Sequence, residues 1–151
     1  MPDVAPPRVI NAAGETLIKS FEGCCLTARP DVGGIPTIGY GHCGPDVVNG
    51  MVWTQQQADG ALASDLEKAC GSIQRLVKVP LNENQFAALV SFTFNVGPGN
   101  LQRSTLLTLL NRGFYEQIPA QLMRWNRVNG EILGGLSRRR AAEGQLWNTP
   151  V

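Results

Sequence analysis

The sequence predicts an α+β fold, in which a small N-terminal β-hairpin lobe precedes a larger helical lobe. Residues 26–42 combine a Gly-Gly turn with the strand-favouring residues Thr37, Ile38 and Tyr40, which is typical of a β-hairpin. Most of the remaining chain carries apolar residues at spacings of three and four, which indicates amphipathic helices. A hairpin followed by a run of helices is the pattern of an α+β domain.

Helix-capping residues define the first two helices. Asn11 suits an N-cap and Gly23 suits a helix end, so the first helix should lie between them. Thr54 and Gln57 have the spacing of a capping box and predict the start of a long helix, which should end before Pro80. This helix is long enough to connect the hairpin lobe to the rest of the chain.

The C-terminal part should contain shorter helices and a turn. A second capping box, at Asn82 and Gln85, predicts a helix that ends at the Gly-Pro-Gly sequence of residues 97–99. The other expected elements are short helices at Leu106–Leu110 and Phe114–Trp125, a turn or small hairpin bounded by Asn129-Gly130 and Gly134-Gly135, and a last helix from its cap Ser137 to Leu146.

The length and composition fit one compact domain. The chain has 151 residues, of which 43% are apolar and 17% are charged, so it is able to fold and is not a disordered chain. We expect a single domain over residues 1–151. Its parts are an N-terminal lobe at about 11–55, a connecting helix at about 54–78 and a C-terminal lobe at about 80–151.

The charge is nearly balanced overall but unevenly distributed. The formal net charge is +1, which argues against a nucleic-acid-binding protein that neutralises many phosphates. Residues 1–100 carry a net −3 and residues 101–151 a net +4, so the C-terminal third could face an anionic polymer. The run Arg138–Arg140 spreads around one helix. These arginines either pair with acids such as Glu143 or attract the chain to an anionic polymer, and both roles can hold together.

The hydropathy pattern excludes a membrane-spanning segment, because no apolar run approaches the roughly 20 residues that such a helix needs. The first eight residues contain three prolines and no apolar stretch, so they do not resemble a secretory signal. We therefore expect synthesis in the cytoplasm without an integral membrane segment.

The four cysteines, Cys24, Cys25, Cys43 and Cys70, are too few and too irregularly spaced for a disulfide scaffold or a zinc site. Free thiols are the simplest interpretation. One of Cys24 and Cys25 could still pair with Cys43 if the chain doubles back. No metal site is expected.

Three polar residues near the predicted hairpin, two carboxylic acids and one alcohol, have side chains that suit an acid-catalysed hydrolysis. Glu22 falls at the C-terminal end of the first helix, where the backbone carbonyls favour the protonated form of a carboxyl group. Asp31 lies in the first arm of the hairpin and Thr37 in the second. Two carboxyl groups in unlike settings suit glycoside hydrolysis, in which one protonates the leaving oxygen and the other attacks the sugar or activates water. By spacing alone, an acidic residue after a helix is more often a solvated side chain.

The same residues resemble the phage-type lysozymes, the glycoside hydrolase family that includes T-even phage lysozyme and the lambdoid endolysins. The family's catalytic pattern is Glu-x8-Asp-x5-Thr, and Glu22, Asp31 and Thr37 match it at unbroken spacing. Supporting likeness comes from Ile38-Gly39-Tyr40-Gly41-His42, from Phe94-Asn95-Val96-Gly97, from the stretch Arg138–Glu143 and, closer to the lambdoid branch, from residues 76–81.

The resemblance implies a lysozyme-like fold and a muramidase, which hydrolyses the β-1,4 bond between N-acetylmuramic acid and N-acetylglucosamine in peptidoglycan. Glu22 would be the general acid, Asp31 the carboxylate that stabilises positive charge on the sugar ring, and Thr37 the residue that holds the water. The family is similar to inverting hydrolases, so the two carboxyl groups should lie roughly 6.5–9.5 Å apart. No metal or organic cofactor is implied. The chain would be a monomeric endolysin, released by a holin to reach periplasmic peptidoglycan and lyse the host.

The resemblance also implies roles for residues outside this group of three. Those expected to contact substrate are Tyr40, Gly41, Phe94, Asn95, Ser104 and Arg124. His42, the only histidine, is expected to form a structural ion pair with Asp65 on the long helix. Such a pair would raise the pKa of His42, so its stabilisation would fade as pH rises through that value.

Three other functions remain open from the sequence. A lytic transglycosylase would cleave the same bond with Glu22 as its one essential acid, although the rest of the catalytic pattern argues against it. A cysteine peptidase would pair Cys25 or Cys43 with His42. A non-catalytic module would bind the wall without cleaving it.

Overall fold

A computed structural model describes residues 6–151, so part of the proline-rich start lies outside the described residues. The described part forms seven α-helices, one short 3₁₀ helix and two small β-hairpins. In chain order the elements are α1 (Ala12–Glu22), β1 (Cys25–Pro30), β2 (Pro36–Gly39), α2 (Gln55–Leu76), α3 (Glu83–Val96), α4 (Pro98–Arg103), α5 (Thr105–Asn111), the 3₁₀ helix (Tyr115–Gln117), α6 (Ile118–Met123), β3 (Arg127–Val128), β4 (Glu131–Ile132) and α7 (Gly134–Asn148). A hairpin followed by a mainly helical body confirms the α+β prediction.

The first hairpin pairs β1 with β2 in antiparallel register. Cys25 lies opposite Gly39 and Pro30 opposite Pro36, and the register shifts between Cys25 and Arg29, as it does at a β-bulge. The side chains beneath the hairpin form a small apolar cluster of Ala28, Ile38 and Val47, with Met51 and Trp53 packed against it. The hairpin therefore has a core of its own, separate from the main core of the helical body.

The long helix α2 begins where its capping box predicts. The Thr54 side chain accepts a hydrogen bond from the Gln57 backbone N–H at 3.2 Å, and Gln57 Oε1 accepts one from the Thr54 N–H at 2.8 Å. The helix ends at Leu76, earlier than the predicted end near residue 78, because Asn111 caps it. Asn111 donates to the Leu76 carbonyl at 3.0 Å and accepts from the Lys78 N–H at 2.7 Å.

Helix α3 forms the centre of the main core. Its residues from Phe86 to Thr93 are all buried, and α1, α2 and α7 pack around it. The capping box of Asn82 and Gln85 begins this helix as predicted. Gly14 lets α1 approach closely, because a Cβ at this position would lie 2.7 Å from the Ala87 Cβ. The buried helix thus fixes the positions of α1 and α7, which both contribute to the candidate site.

Two C-terminal boundaries differ from the sequence prediction. Pro98 follows the end of α3 as expected, but it also begins α4, which the sequence analysis missed; a proline in the first turn of a helix removes no intrahelical hydrogen bond. Helix α7 begins at Gly134 and not after a Ser137 cap, because the Gly-Gly pair that was interpreted as a turn is helical. The Ser137 hydroxyl instead accepts a hydrogen bond from Asn126 Nδ2 at 3.1 Å.

The remaining C-terminal elements lie where the sequence predicts them. Helix α5 corresponds to the first of the two predicted short helices. The 3₁₀ helix and α6, which directly follows it, together correspond to the second. Asn129 and Gly130, with φ angles of 51° and 82°, form the tight turn between β3 and β4. These elements lead the chain back to α7, which packs against α3 and α6.

Candidate active site

Glu22 is the last residue of α1 and faces an open cleft. Gly23 ends the helix, with a φ of 64° and its N–H bonded to the Lys19 carbonyl at 3.0 Å. The Glu22 side chain is only 18% exposed. The cleft has a volume of about 670 Å³, and its walls include Asn95 from α3 and Arg138 from α7. Of the residues expected to contact substrate, Asn95 is the one that shares this cleft with Glu22.

A buried arginine holds the Glu22 carboxylate. Arg139 Nη1 donates to Glu22 Oε2 at 2.6 Å, and Arg139 Nη2 donates to the Ser91 carbonyl at 3.3 Å. The Arg139 side chain is 3% exposed, so the pair is partly shielded from solvent. The guanidinium thus places a buried positive charge directly beside the Glu22 carboxyl group. Sequence reasoning considered the arginine run only as a surface or an acid-pairing feature and did not link it to Glu22.

Gly41 lies directly against Glu22. Its φ is 76°, a backbone conformation that glycine adopts without strain. A Cβ at this position would lie 2.7 Å from Glu22 Oε1. Gly41, two residues after the end of β2, therefore leaves the space that the Glu22 carboxylate occupies.

Asp31 and Thr37 lie on the hairpin. Asp31 Oδ1 accepts hydrogen bonds from the Gly33 N–H at 2.8 Å and the Ile35 N–H at 2.9 Å, so this oxygen shapes the turn. The Thr37 hydroxyl donates to the Ile35 carbonyl at 2.9 Å, which leaves its oxygen lone pairs as acceptors. The Asp31 carboxylate is exposed, and its second oxygen takes no part in these turn bonds.

The other residues expected to contact substrate are spread over neighbouring surfaces. Gly41 and Phe94 line a cavity of about 270 Å³ beside α2, and Ser104 and Arg124 line one of about 280 Å³ near α5. The Ser104 hydroxyl already caps α5, since it accepts from the Leu107 N–H at 3.0 Å. The Tyr40 hydroxyl accepts a hydrogen bond from Gln55 Nε2 at 3.1 Å. Neither Asp31 nor Thr37 lines these two cavities or the Glu22 cleft.

His42 joins the hairpin lobe to α2. Its Nδ1 lies 2.8 Å from Asp65 Oδ2 and its Nε2 lies 3.2 Å from Asp46 Oδ2. Burial lowers the pKa of His42, but the hydrogen bonds and charges of Asp65 and Asp46 outweigh this effect, so the pKa is raised above its ordinary value. Because carboxylates occupy both ring nitrogens, His42 is not arranged as the base of a cysteine peptidase.

Comparisons with known proteins decide the family. The family model described as phage lysozyme matches residues 19–143. The chain belongs to the phage lysozyme family. The endolysin of Bacillus phage PZA is 43% identical to it over 145 residues, which cover 93% of this chain and 55% of the relative. The endolysin of Salmonella phage P22 is 38% identical over 135 residues, which cover 87% of this chain and 92% of the relative.

A solved structure supports the same assignment. The muramidase domain of SpmX from Asticaccaulis excentricus is 38% identical and has a TM-score of 0.85, covering 95% of this chain and all of that one. The prediction of a lysozyme-like α+β fold is therefore confirmed. The chain spans about half the length of the Bacillus phage endolysins that it matches.

The remaining features of residues 6–151 concern thiols, metal ligands and membrane helices. Cys24, Cys25, Cys43 and Cys70 are all free, so the considered pairing with Cys43 is not formed. Within the same residues no cluster of three or more His, Cys, Asp or Glu side chains is arranged to hold a metal ion. None of the described helices combines the length and the hydropathy that crossing a membrane requires.

The His42–Asp65 pair should stabilise the fold in a pH-dependent way. Asp65→Asn should lower the free energy of unfolding more at about pH 5.5 than at about pH 8.5. The folded pKa of His42 lies above its unfolded value of 6.5, so the stabilisation is complete below that value and is lost as pH rises through the folded pKa. Urea unfolding at both pH values measures the effect. Asp59→Asn, on the exposed face of the same helix, is the matched control, and an equal cost of Asp65→Asn at both pH values would contradict the account.

Gly41→Ala should displace the Glu22 side chain. The added methyl group would meet Glu22 Oε1, and the positive φ adds strain of about 1–2 kcal/mol. Gly50→Ala is the control, because Gly50 has a φ of 89° but open space around its Cβ position. Thermal unfolding and the NMR signals of the Arg139 guanidinium should both change more in Gly41→Ala. Identical behaviour of the two variants would show that Glu22 does not lie against Gly41.

Proposed function

We propose that this chain is a muramidase that hydrolyses the β-1,4 bond between N-acetylmuramic acid and N-acetylglucosamine in peptidoglycan. The observation that carries the proposal is the placement of Glu22, which faces a cleft large enough for sugar rings while Arg139 and Gly41 fix its carboxylate. Family membership and the match of Asp31 and Thr37 to the catalytic pattern support it. The chain would act as one domain, with the hairpin lobe and the helical lobe joined by α2.

In this proposal Glu22 is the general acid. It delivers a proton to the glycosidic oxygen as the bond to the sugar breaks, and the departing sugar leaves as an alcohol. Arg139 keeps the carboxyl group in one orientation before the proton is delivered and stabilises the carboxylate that forms afterwards. The partly buried setting strengthens that electrostatic interaction relative to bulk water.

Asp31 and Thr37 would act on the other side of the sugar ring. The charge of Asp31 would stabilise the positive charge that develops on the ring, and the hydroxyl oxygen of Thr37 would accept a hydrogen bond from the attacking water. Because the Thr37 hydrogen is already donated to Ile35, this oxygen is oriented as an acceptor. Attack by a positioned water gives inversion at the anomeric carbon. It requires the carboxyl groups of Glu22 and Asp31 to lie roughly 6.5–9.5 Å apart in the enzyme.

The wider biology follows from the same proposal. The chain would be a monomeric endolysin that is made in the cytoplasm. It would reach periplasmic peptidoglycan after a holin permeabilises the inner membrane, and cleavage of the peptidoglycan would then lyse the host cell. Tyr40, Gly41, Phe94 and Asn95 would contact the glycan near the cleft, and Ser104 and Arg124 would contact it further away. The reaction would need no metal or organic cofactor, and nucleic acid would not be a partner.

Glu22→Gln should abolish lysis. The amide cannot donate the proton, so clearing of permeabilised Gram-negative cells should fall by about 10²–10⁴-fold, as expected for loss of a general acid. Turbidity measured over time gives the rate. Glu15→Gln on the same helix is the control and should clear cells at the wild-type rate, since Glu15 is exposed and pairs with Lys19 at the surface. Clearing by Glu22→Gln at the wild-type rate would refute the catalytic role, and a wild type that binds walls without clearing cells would indicate a binding module.

Asp31 variants should separate catalysis from the shape of the turn. Asp31→Asn keeps an oxygen that can accept from Gly33 and Ile35 but removes the charge, so activity should fall about 100-fold while stability is retained. Asp31→Ala also loses the turn bonds and should lower the free energy of unfolding by about 1 kcal/mol. Cell clearing and urea unfolding give the two readouts. If Asp31→Asn retained full activity, Asp31 would serve the turn alone.

A further inference from the structure

A buried cluster of charged side chains lies behind Glu22. Its members outside the cleft are Arg140 and Glu143, which are 0% exposed, and Ser91, which is also 0% exposed. The Ser91 hydroxyl donates to Glu143 Oε2 at 2.6 Å, and Arg140 Nη2 donates to the same oxygen at 3.0 Å. Glu143 Oε1 lies 2.7 Å from Arg140 Nε, although the N–H is not directed at it, so this contact is an ion pair only.

Arg139 connects this cluster to the cleft. While its Nη1 bonds Glu22, its Nε lies 3.5 Å from Glu143 Oε2. The four charges therefore alternate in the order Glu22, Arg139, Glu143, Arg140. Arg139 therefore lies between two carboxyl groups. Because Glu143 offsets part of its positive charge, the electrostatic effect of Arg139 on Glu22 depends on Glu143.

The packing elements bring few other charges to the cluster. Helix α7 supplies Arg139, Arg140 and Glu143, α1 supplies Glu22, and α3 supplies the Ser91 hydroxyl and carbonyl. Helix α6 carries no ionisable side chain, and the only charged residue of α3, Glu83, is at its opposite end, where it pairs with Arg8. Burial raises the pKa of Glu143 above its ordinary value and outweighs Arg140, Ser91 and Arg139, which act in the opposite direction. The guanidinium groups and the Ser91 hydroxyl are thus what favours a charged Glu143.

We propose that Glu143 is a positioning residue for the acid Glu22, because its buried carboxyl group faces the same guanidinium that bonds Glu22, fixes Arg139 in place and offsets part of its positive field. This inference rests on the proposed function. An apolar residue at this position would pack α7 against α3 without the cost of burying charge, so a packing role alone does not require a carboxylate. A carboxylate is required if Arg139 must be held in place and partly neutralised on the side away from Glu22.

Two substitutions at Glu143 separate charge from shape. Glu143→Gln keeps the size and the hydrogen-bonding oxygen but removes the charge, so Glu22 should lose its proton at a pH lower by about one unit. Glu143→Asp keeps the charge and should leave that midpoint close to wild type. The titration of Glu22 is followed by ¹³C NMR of its side-chain carboxyl group, and the alkaline limb of the lysis rate against pH should move by the same amount and in the same direction.

If Glu143 had a purely structural role, the pH at which Glu22 loses its proton would be close to wild type in Glu143→Gln and would change more in Glu143→Asp. That result would overturn the inference.

If Glu143→Gln does not fold, the wild-type protein alone gives the test. The proposal requires the carboxyl ¹³C shift of Glu143 at pH 7 to be that of an ionised group, and a protonated Glu143 would refute it. Glu116→Gln, an exposed change in the 3₁₀ helix, is the control for nonspecific effects. The NMR titration of Glu22 does not require catalytic turnover. A wild-type protein that fails to clear cells, while the Glu22 midpoint still shifts in Glu143→Gln, would therefore refute the proposed function and leave this inference standing.

Discussion

The contact between Glu22 and Arg139 is the interaction on which the site depends. It joins residues that are 117 positions apart in the chain and brings the end of α1 against the first half of α7. Neither helix contacts the other extensively, and each is held mainly by the buried α3. The Glu22 carboxylate is therefore positioned by the packing of three helices. A substitution that disturbs the packing of α3 would also displace Glu22 and Arg139 at the cleft, even where the protein still folds.

The two ends of the proposed catalytic pattern are built differently. The Glu22 side chain is largely enclosed and bonded to a buried guanidinium, whereas Asp31 and Thr37 belong to an exposed hairpin that carries only a small core. The first group is held by the helical body and the second by local turn bonds. In the proposed mechanism, the acid is therefore held by long-range packing, and the two residues on the other side of the sugar ring are held by local hydrogen bonds. The His42–Asp65 pair is one of the contacts that join the hairpin lobe to α2, together with the hydrogen bond from Gln55 to Tyr40.

Local signals in the sequence were sufficient for much of the fold. The caps at Asn11, Thr54 and Asn82 predicted three helix starts, because a side-chain oxygen that satisfies free N–H groups acts within a single turn. The end of α2 was misplaced, because the cap at that end is Asn111, which is distant in sequence. The start of α7 was misplaced because a Gly-Gly pair fits a turn as well as a helix.

The candidate site was only partly accessible from the sequence. The resemblance to the family's catalytic pattern made Glu22, Asp31 and Thr37 the candidates, and the helix-end argument gave a reason to propose Glu22 as the acid. The arginine that holds Glu22 was not identified, because consecutive arginines on a helix look alike in sequence, although Arg138 is exposed and the next two are buried. The spacing of Glu143 from Arg139 and Arg140, at four and three residues, was the available signal that these side chains share one face.

The most direct test of the account is the chemistry of the cleaved glycan. Purified peptidoglycan would be digested in ¹⁸O-labelled water, and the fragments would be examined by mass spectrometry and, for the newly formed ends, by NMR. An acid, a second carboxylate and a water held on the opposite face predict reducing muramic acid ends that carry one labelled oxygen and appear first as the α-anomer. Unlabelled anhydro-muramic acid ends would contradict it, since they would show that the bond is broken without water.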